Sequence, residues 1–337
     1  MTRRLRTVVV GFGQVADTLG DDARMRQYFR DASHAEVLAK HPTFDWDAVI
    51  DPSEDALRRA REKWGIEHTA TDLHGLGEGY APDVAVIAAP PSMRLAVIEA
   101  FPSLSGLLVE KPLGHTVGEA RRFTEACEAR GLAVQVHFWR RGVAGFQDLA
   151  SGGLRKRVGA LQGAFAIYGR GLFNNGSHLV DFIRMLLGEV VEARALAAAD
   201  HDVDLPNDFD IPFALRLENG LPVTALPVKF AHYREVALDI WGTTGRLSLM
   251  QESLSVMRFP VVENRGLEDA FELASDKPEA VDLPVADAYR TMYDNLAAAV
   301  TDGAALVSSA GSALQTMEVL DAICLSAGNG GRAMALA

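Results

Sequence analysis

Apolar and polar positions follow two different rhythms along the chain. In the first, short and nearly unbroken apolar runs at Thr7–Val10, Ala48–Ile50, Val84–Ala88 and Leu107–Val109 are separated by longer helical patterns such as Glu54–Trp64 and Ser92–Ala100. Runs without polar alternation predict strands buried on both faces, as in a parallel sheet covered by helices. A further helix is expected over Thr116–Arg130 and a strand over Ala133–Phe138. This βαβα succession predicts an N-terminal doubly wound Rossmann domain over residues 1–135.

In the second rhythm, strand-like stretches follow one another without intervening helices. They are Leu161–Tyr168, Val191–Ala198, Pro212–Leu217, Pro222–Lys229, Val236–Trp241 and Gly245–Leu249. Consecutive strands with turn residues between them predict a C-terminal α+β domain on a largely antiparallel sheet, residues 136–337. Two helices, Ala286–Thr301 and Ser308–Ser326, are expected to close the chain. The Gly328-Asn329-Gly330-Gly331 segment then reads as a frayed end.

Composition narrows the class. With 337 residues, 48% hydrophobic and 23% charged, the chain has the makeup of a globular protein of two domains. A net charge of −12 argues against a nucleic-acid partner, which selects for a basic face. No stretch approaches the roughly 20 apolar residues of a membrane span, and the opening MTRRLRTVVVGFG breaks off too early for a signal peptide. The two cysteines, Cys127 and Cys324, exclude a disulfide framework and fit a reducing compartment; the cytoplasm is the expected location.

The candidate chemistry begins at Gly11-Phe12-Gly13-Gln14-Val15-Ala16, directly after the first strand. This G-x-G-x-x-A pattern supplies a tight turn, close backbone approach to a pyrophosphate and a helix N-terminus aimed at the phosphates. Asp51 ends the second strand, where a carboxylate accepts from ribose hydroxyls and repels a 2′-phosphate, so NAD is favoured over NADP. Asp51-Pro52-Ser53 also reads as a cap of the next helix, with proline near its first position. From Gly13 to Asp51 is 38 residues, against about 20 in the fingerprint. The surplus, Asp17–Ala32, reads as a surface extension of the first helix or as a lid beside the cleft. After the strand Leu107–Val109, Glu110-Lys111-Pro112-Leu113-Gly114 sits where strand ends face the ligand crevice, and Lys111 is the candidate to stabilise an alkoxide or move its proton.

GFGQVA, the acidic end of the second strand, Ala89-Pro90-Pro91, EKPLG, VHFWRR and NNGSHLVDFIRMLLG together resemble the Gfo/Idh/MocA oxidoreductases along the whole chain. The resemblance implies that Lys111 is the catalytic lysine, held by Glu110 and Pro112, and that His178 is the acid/base histidine of a D-x-x-x-H pattern. A histidine in the first turn of a helix stays neutral readily, as a base requires, while Asp181 one turn on pulls the other way and could orient the ring. Two departures stand out: Asn174 replaces the pattern's aspartate, and Arg94 stands where the family often has histidine.

The expected reaction is hydride transfer between a nicotinamide and a secondary alcohol or ketone of a sugar, cyclitol or derivative. Gly11, Phe12, Gly13, Gln14, Val15, Asp51, Ala89, Pro90, Glu110 and Lys111 are the cofactor-binding candidates. Arg140, Asn174 and His178 are the substrate-binding ones, with Arg140 or Arg141 gripping an anionic substituent. No metal is expected, because the histidines lack ligand spacing. The partner is a small polyol or sugar-like molecule, with neither nucleic acid nor membrane, and the resemblance suggests a homo-oligomer. Two rival functions share the fold: a glycosidase using NAD transiently, and a non-catalytic dinucleotide sensor.

Overall fold

Val8, Val9 and Val10 are almost wholly enclosed, as an unbroken apolar run requires when both faces of its sheet are covered. The computed structural model describes residues 3–201, 205 and 208–336. In its first unit, six parallel strands are ordered β3-β2-β1-β4-β5-β6. They are β1 (Leu5–Val10), β2 (Phe44–Ile50), β3 (His68–Ala70), β4 (Val84–Ile87), β5 (Gly106–Val109) and β6 (Ala133–Val136). This is the dinucleotide-binding order, with its switch point between β1 and β4. The helices of this part are α1 (Met25–Tyr28), α2 (His34–Lys40), α3 (Glu54–Trp64), α4 (Arg94–Ala100) and α5 (Val117–Ala129). β3 went unforeseen because only Ala70 of its three residues is buried, so it carries no apolar run. Helix α3 is capped by Ser53, whose side chain accepts from the Ala56 amide, and stopped by Gly65 at φ 69°. The cap is therefore Ser53 rather than Asp51, and Pro52 precedes it.

The helix expected directly after the glycine turn is interrupted. Residues 14–17 make a turn, a 3-10 turn follows at Thr18–Asp21 and the short helix α1 after it, and the first helix resumes at α2. The His34 and Ala35 amides donate to the carbonyls of Val15 and Ala16 at 3.3 and 2.9 Å. In an unbroken helix residues 19 and 20 would make those bonds. Fifteen residues (34 less 19) are thus looped out of one helix that restarts in register. The segment is neither a helix extension nor a free flap. At one root, buried Asp17 accepts from Arg59, Lys63 and Trp64. At the other, Phe29 packs edge-on against Trp139 and Tyr289, and the Arg30 amide donates to the Ala286 carbonyl.

That last contact belongs to a discontinuity. The first unit comprises residues 1–143 together with 285–314, and the second comprises 144–284 together with 315–337. The helix Ala288–Asp302 was expected in the second domain but covers the first sheet. A Cβ on Gly106 would lie 2.5 Å from Val300 Cγ2, so only glycine lets β5 and this helix pack so closely. Gln135 of β6 donates to the Met292 carbonyl and to Asn295 Oδ1.

The second unit is built on a ten-stranded sheet. Along its main path the strands run Phe271–Leu273, Ser255–Glu263, Gly245–Met250, Ala237–Gly242, Leu161–Tyr168, Pro222–Pro227, Phe213–Leu217, Val190–Ala195 and Met334–Ala335. Every described pairing is antiparallel except Leu161–Tyr168 with Pro222–Pro227. The Gly328-Asn329-Gly330-Gly331 segment is not frayed. Met334–Ala335 adds an edge strand, and the carbonyls of Gly331 and Arg332 accept from Arg194 and Ser326. Among the described residues no helix is long and apolar enough to cross a membrane.

Candidate active site

The glycine turn follows β1 at the switch point. Gly11 has φ 86°, and a Cβ there would lie 2.6 Å from the Ala89 nitrogen, so this position demands glycine both conformationally and sterically. At Gly13 an added Cβ would meet nothing within 4 Å. The fingerprint needs that open face for a pyrophosphate. The Phe12 ring is fully buried and packs against Trp46, while Gln14 is exposed and Val15 partly so. Asp51 accepts from the Phe12 amide at 2.6 Å and from the Ser53 amide at 2.8 Å. It therefore ties the glycine turn to the start of α3, with lone pairs remaining for ribose hydroxyls. Ala16 is buried, giving the close packing its slot requires, and half-exposed Ala89 with exposed Pro90 follows β4. These residues fit a bound dinucleotide. Asp17, the residue after Ala16, is buried with its carboxylate on Arg59, Lys63 and Trp64. Burial pushes its pKa up, but Arg59, Trp64 and Lys63 outweigh burial and hold it below the ordinary range.

Lys111 lies at the end of β5 and is partly exposed, with a cis peptide to Pro112. The turn is held from two sides. Arg94, the first residue of α4 and 2% exposed, donates through Nη1 to the carbonyls of Pro112 (2.8 Å) and Leu113, and through Nη2 to that of Glu110. On the other side, Glu110 Oε1 accepts from His34 Nε2 at 3.1 Å and from His137 Nδ1 at 2.6 Å. His34 is itself completely enclosed, and its Nδ1 lies 2.8 Å from the Tyr293 hydroxyl. Because an ionised carboxylate can only accept, both histidines donate to it, and Tyr293 then donates to His34. Burial raises the pKa of Glu110, but His137 and His34 outweigh it and hold the carboxyl well below its usual range. Burial lowers that of His34.

Sequence reasoning placed Glu110 beside the cofactor and found no histidine cluster. The structure instead spends at least one of its carboxylate oxygens on two histidines that lie 103 positions apart in sequence (137 less 34). Their nitrogens and the carboxylate lie within 4.8 Å of one another, the composition of a small metal-ligand set, and the hydrogen bonds just given account for the arrangement at His34 and Glu110. Nothing local could have paired them.

In the second unit, Asn174 lies in a π-helical turn, Gly171–Gly176, that runs straight into the helix Ser177–Leu187. Helical backbone thus starts just after Gly171, whose φ is 95°, and half-exposed His178 sits beyond the first turn. The argument from a free helix end does not apply to it. The free amides at that end belong to Gly171, Phe173 and Asn174, and they donate to Asp210 Oδ1, Asp208 Oδ1 and Asp208 Oδ2. These two aspartates, which no motif flagged, hold the segment carrying Asn174 and His178. Buried Asp181 accepts from Thr316. Arg140 belongs to the first unit, in a 3-10 turn Trp139–Gly142; it is buried, with its guanidinium 4.5 Å from the Trp139 ring centre. Arg141 is half-exposed.

Comparison with known proteins matches both parts of the chain to one family. Residues 5–138 match the description "Oxidoreductase family, NAD-binding Rossmann fold" and residues 169–336 match "Oxidoreductase family, C-terminal alpha/beta domain", the two halves of the Gfo/Idh/MocA signature. No curated protein gives a significant match. Several solved structures share the fold at low identity. An oxidoreductase from Agrobacterium radiobacter, in complex with NAD+, L-tartaric acid and magnesium, is 16% identical with a TM-score of 0.73, covering 99% of this chain and 98% of its own. The WlbA dehydrogenase from Bordetella pertussis, with NADH and UDP-GlcNAcA, is 19% identical with a TM-score of 0.74, covering 99% of each chain. An NAD binding oxidoreductase from Klebsiella pneumoniae is 17% identical with a TM-score of 0.75, covering 99% and 100%.

Proposed function

We propose, from the premise that this chain belongs to the Gfo/Idh/MocA family of NAD-binding oxidoreductases, that it transfers hydride between NAD and a secondary alcohol or ketone of a polyhydroxylated substrate. The observation that carries this is the placing of the glycine turn, Ala89-Pro90 and Lys111 at the ends of the adjacent strands β1, β4 and β5. When bound, NAD would accept the hydride in oxidation and NADH would donate it in reduction. Lys111 serves the substrate oxygen, taking its proton in oxidation or stabilising the alkoxide in reduction. His178 is assigned the second acid/base role by the motif it shares with the family, and Asn174 a neutral hydrogen bond to substrate in place of a charged one. Arg140 is the candidate for an anionic substituent. The tartaric acid and UDP-GlcNAcA held by two relatives of the same fold support a hydroxylated, acid-bearing substrate.

A reducing compartment such as the cytoplasm is part of this proposal, in keeping with the free thiols of Cys127 and Cys324. Self-association is assigned to the open face of the second sheet. There Arg246 stacks on Phe259 at 4.2 Å and on Trp241 at 5.8 Å, all three half-exposed.

A screen of polyols, sugar acids and nucleotide sugars with NADH fluorescence as readout tests this proposal. With the substrate found, Lys111→Ala and His178→Ala each lower turnover by about 10² to 10⁴-fold while dinucleotide binding persists. Near-normal turnover in either variant removes that residue from the chemistry, and hydrolysis of an aryl glycoside without net NAD reduction favours the glycosidase. Asp51→Ala narrows the preference for NADH over NADPH; a wild-type preference for NADPH contradicts the role of Asp51.

A further inference from the structure

Arg94 is a buried cation with no carboxylate bonded to it. All of its hydrogen bonds go to backbone carbonyls, those of Glu110, Pro112 and Leu113, which flank Lys111 on both sides. Its Nε is buried without a partner, and its guanidinium centre lies 6.0 Å from the Phe123 ring. Burial lowers its pKa to about 10, with Glu110 and Glu119 opposing, so it stays protonated at neutral pH.

Enclosing a cation is costly, and a residue kept only to fill space would be a hydrocarbon of the same volume. What a hydrocarbon lacks is a planar fork of N–H donors. The need for those donors is visible in the topology. β5 ends at Val109, and among the described residues no backbone N–H donates to the carbonyls of Glu110, Pro112 or Leu113 that follow. Arg94 takes all three from the first turn of α4, a helix that starts in the connection from β4 to β5.

We propose that Arg94 is a positioning residue for the reaction, fixing Lys111 by gripping the backbone immediately before and after it. The His34–Glu110–His137 network fixes the side chain of the preceding residue, so Lys111 has its freedom removed from both sides of its own backbone. The inference rests on the reading of Lys111 given above and deepens it. A lysine serving a substrate oxygen must be placed to within a fraction of an ångström, and a misplacement of about 1 Å can cost on the order of 10²-fold in rate.

The test uses the full-length protein and two substitutions, Arg94→Ala and Arg94→Lys. The first readout needs no substrate: each protein is labelled with acetic anhydride across a pH series, and modification of Lys111 relative to the other lysines is followed by mass spectrometry. Arg94→Ala is expected to change both the rate and the pH midpoint of Lys111 labelling, leaving the other lysines and NADH affinity as they were. Adding millimolar guanidinium ion, but not sodium, restores the wild-type profile by refilling the vacated fork. With a substrate, kcat falls on the order of 10²-fold at little-changed KM. Arg94→Lys keeps the charge and most of the volume yet cannot span three carbonyls, so it shows the same defect; it also serves if the alanine variant fails to fold. A lowered melting temperature with unaltered Lys111 labelling and kcat would overturn the proposal, reducing Arg94 to a purely structural residue. Full turnover in Lys111→Ala would instead refute the catalytic reading of Lys111, while labelling in the Arg94 variants would still report whether Arg94 holds it.

Discussion

Burying an ionisable group shifts its proton equilibrium, and stability then follows pH. His34 is enclosed and its pKa is lowered, with burial as the main cause and Glu110 opposing. The unfolded chain therefore binds a proton here below about pH 6.5 that the folded chain does not. The contribution of His34 is complete above that pH and is lost as pH falls toward its folded value, at up to about 1.4 kcal/mol per pH unit. Buried His41, lowered by burial against the pull of Asp294, acts in the same sense. The depressed Glu110 adds its loss only in stronger acid, below the ordinary carboxyl range. Urea unfolding at pH 7.5, 6.0 and 5.0 should show stability falling with pH. His34→Gln keeps a donor toward Glu110 but cannot titrate, so its slope should be shallower. An unchanged slope would mean that His34 is protonated in the folded protein.

At the scale of elements, the loop inside the first helix stands out. Its charges are largely taken up locally: Arg26 pairs with Asp21 and Glu36, and Arg30 with Asp287. Asp17 and Phe29 are buried at its roots, while the tip from Asp21 to Tyr28 faces water, Met25 partly so, as do the side chains of Thr18 and Arg30. Hydrogen exchange in the empty protein should be fast over Asp21–Tyr28 and slow from Phe29 through Ala35. Deleting residues 19–33 joins Thr18 to His34 in helical register, and this variant should fold and bind NADH. It should be less stable by about 3 kcal/mol, the scale of losing a buried Phe29. Uniformly fast exchange, or loss of NADH binding on deletion, would return the segment to the role of a lid.

For the whole molecule, the decisive feature is that the first sheet borrows its cover from the far end of the chain. Residues 1–143 alone lack the helix Ala288–Asp302, which buries Tyr293, Met292 and Leu296 in this unit and bonds Gln135. A fragment ending at Val143 should be poorly soluble and bind a hydrophobic dye, whereas fusing residues 285–314 to it through a short linker should restore cooperative unfolding. Equal behaviour of the two fragments would show that the helix is dispensable.

How much of this was legible in the residues follows from the range of the forces involved. Strong local periodicity determined the strands from Thr7 to Val109, the helix Glu54–Trp64 and the change of rhythm in the second half, because binary pattern, caps and turn residues act over a few positions. The glycine turn, Asp51 and Lys111 were legible for the same reason: a short motif in a fixed place on a strand end is a local signal. Edges were not, and β3 and Met334–Ala335 are strands only because a neighbour offers unpaired backbone. The looped-out residues of the first helix hid its continuity, since register across an insertion is settled by where His34 finds the Val15 carbonyl. Likewise, that Arg94 grips the lysine turn, that Asp208 and Asp210 cap the Asn174 segment, and that His34, Glu110, His137 and Tyr293 form one hydrogen-bonded chain were decided by the tertiary structure alone. Each needs partners brought from distant positions, and a polar side chain is not committed to a partner until burial removes water as the alternative.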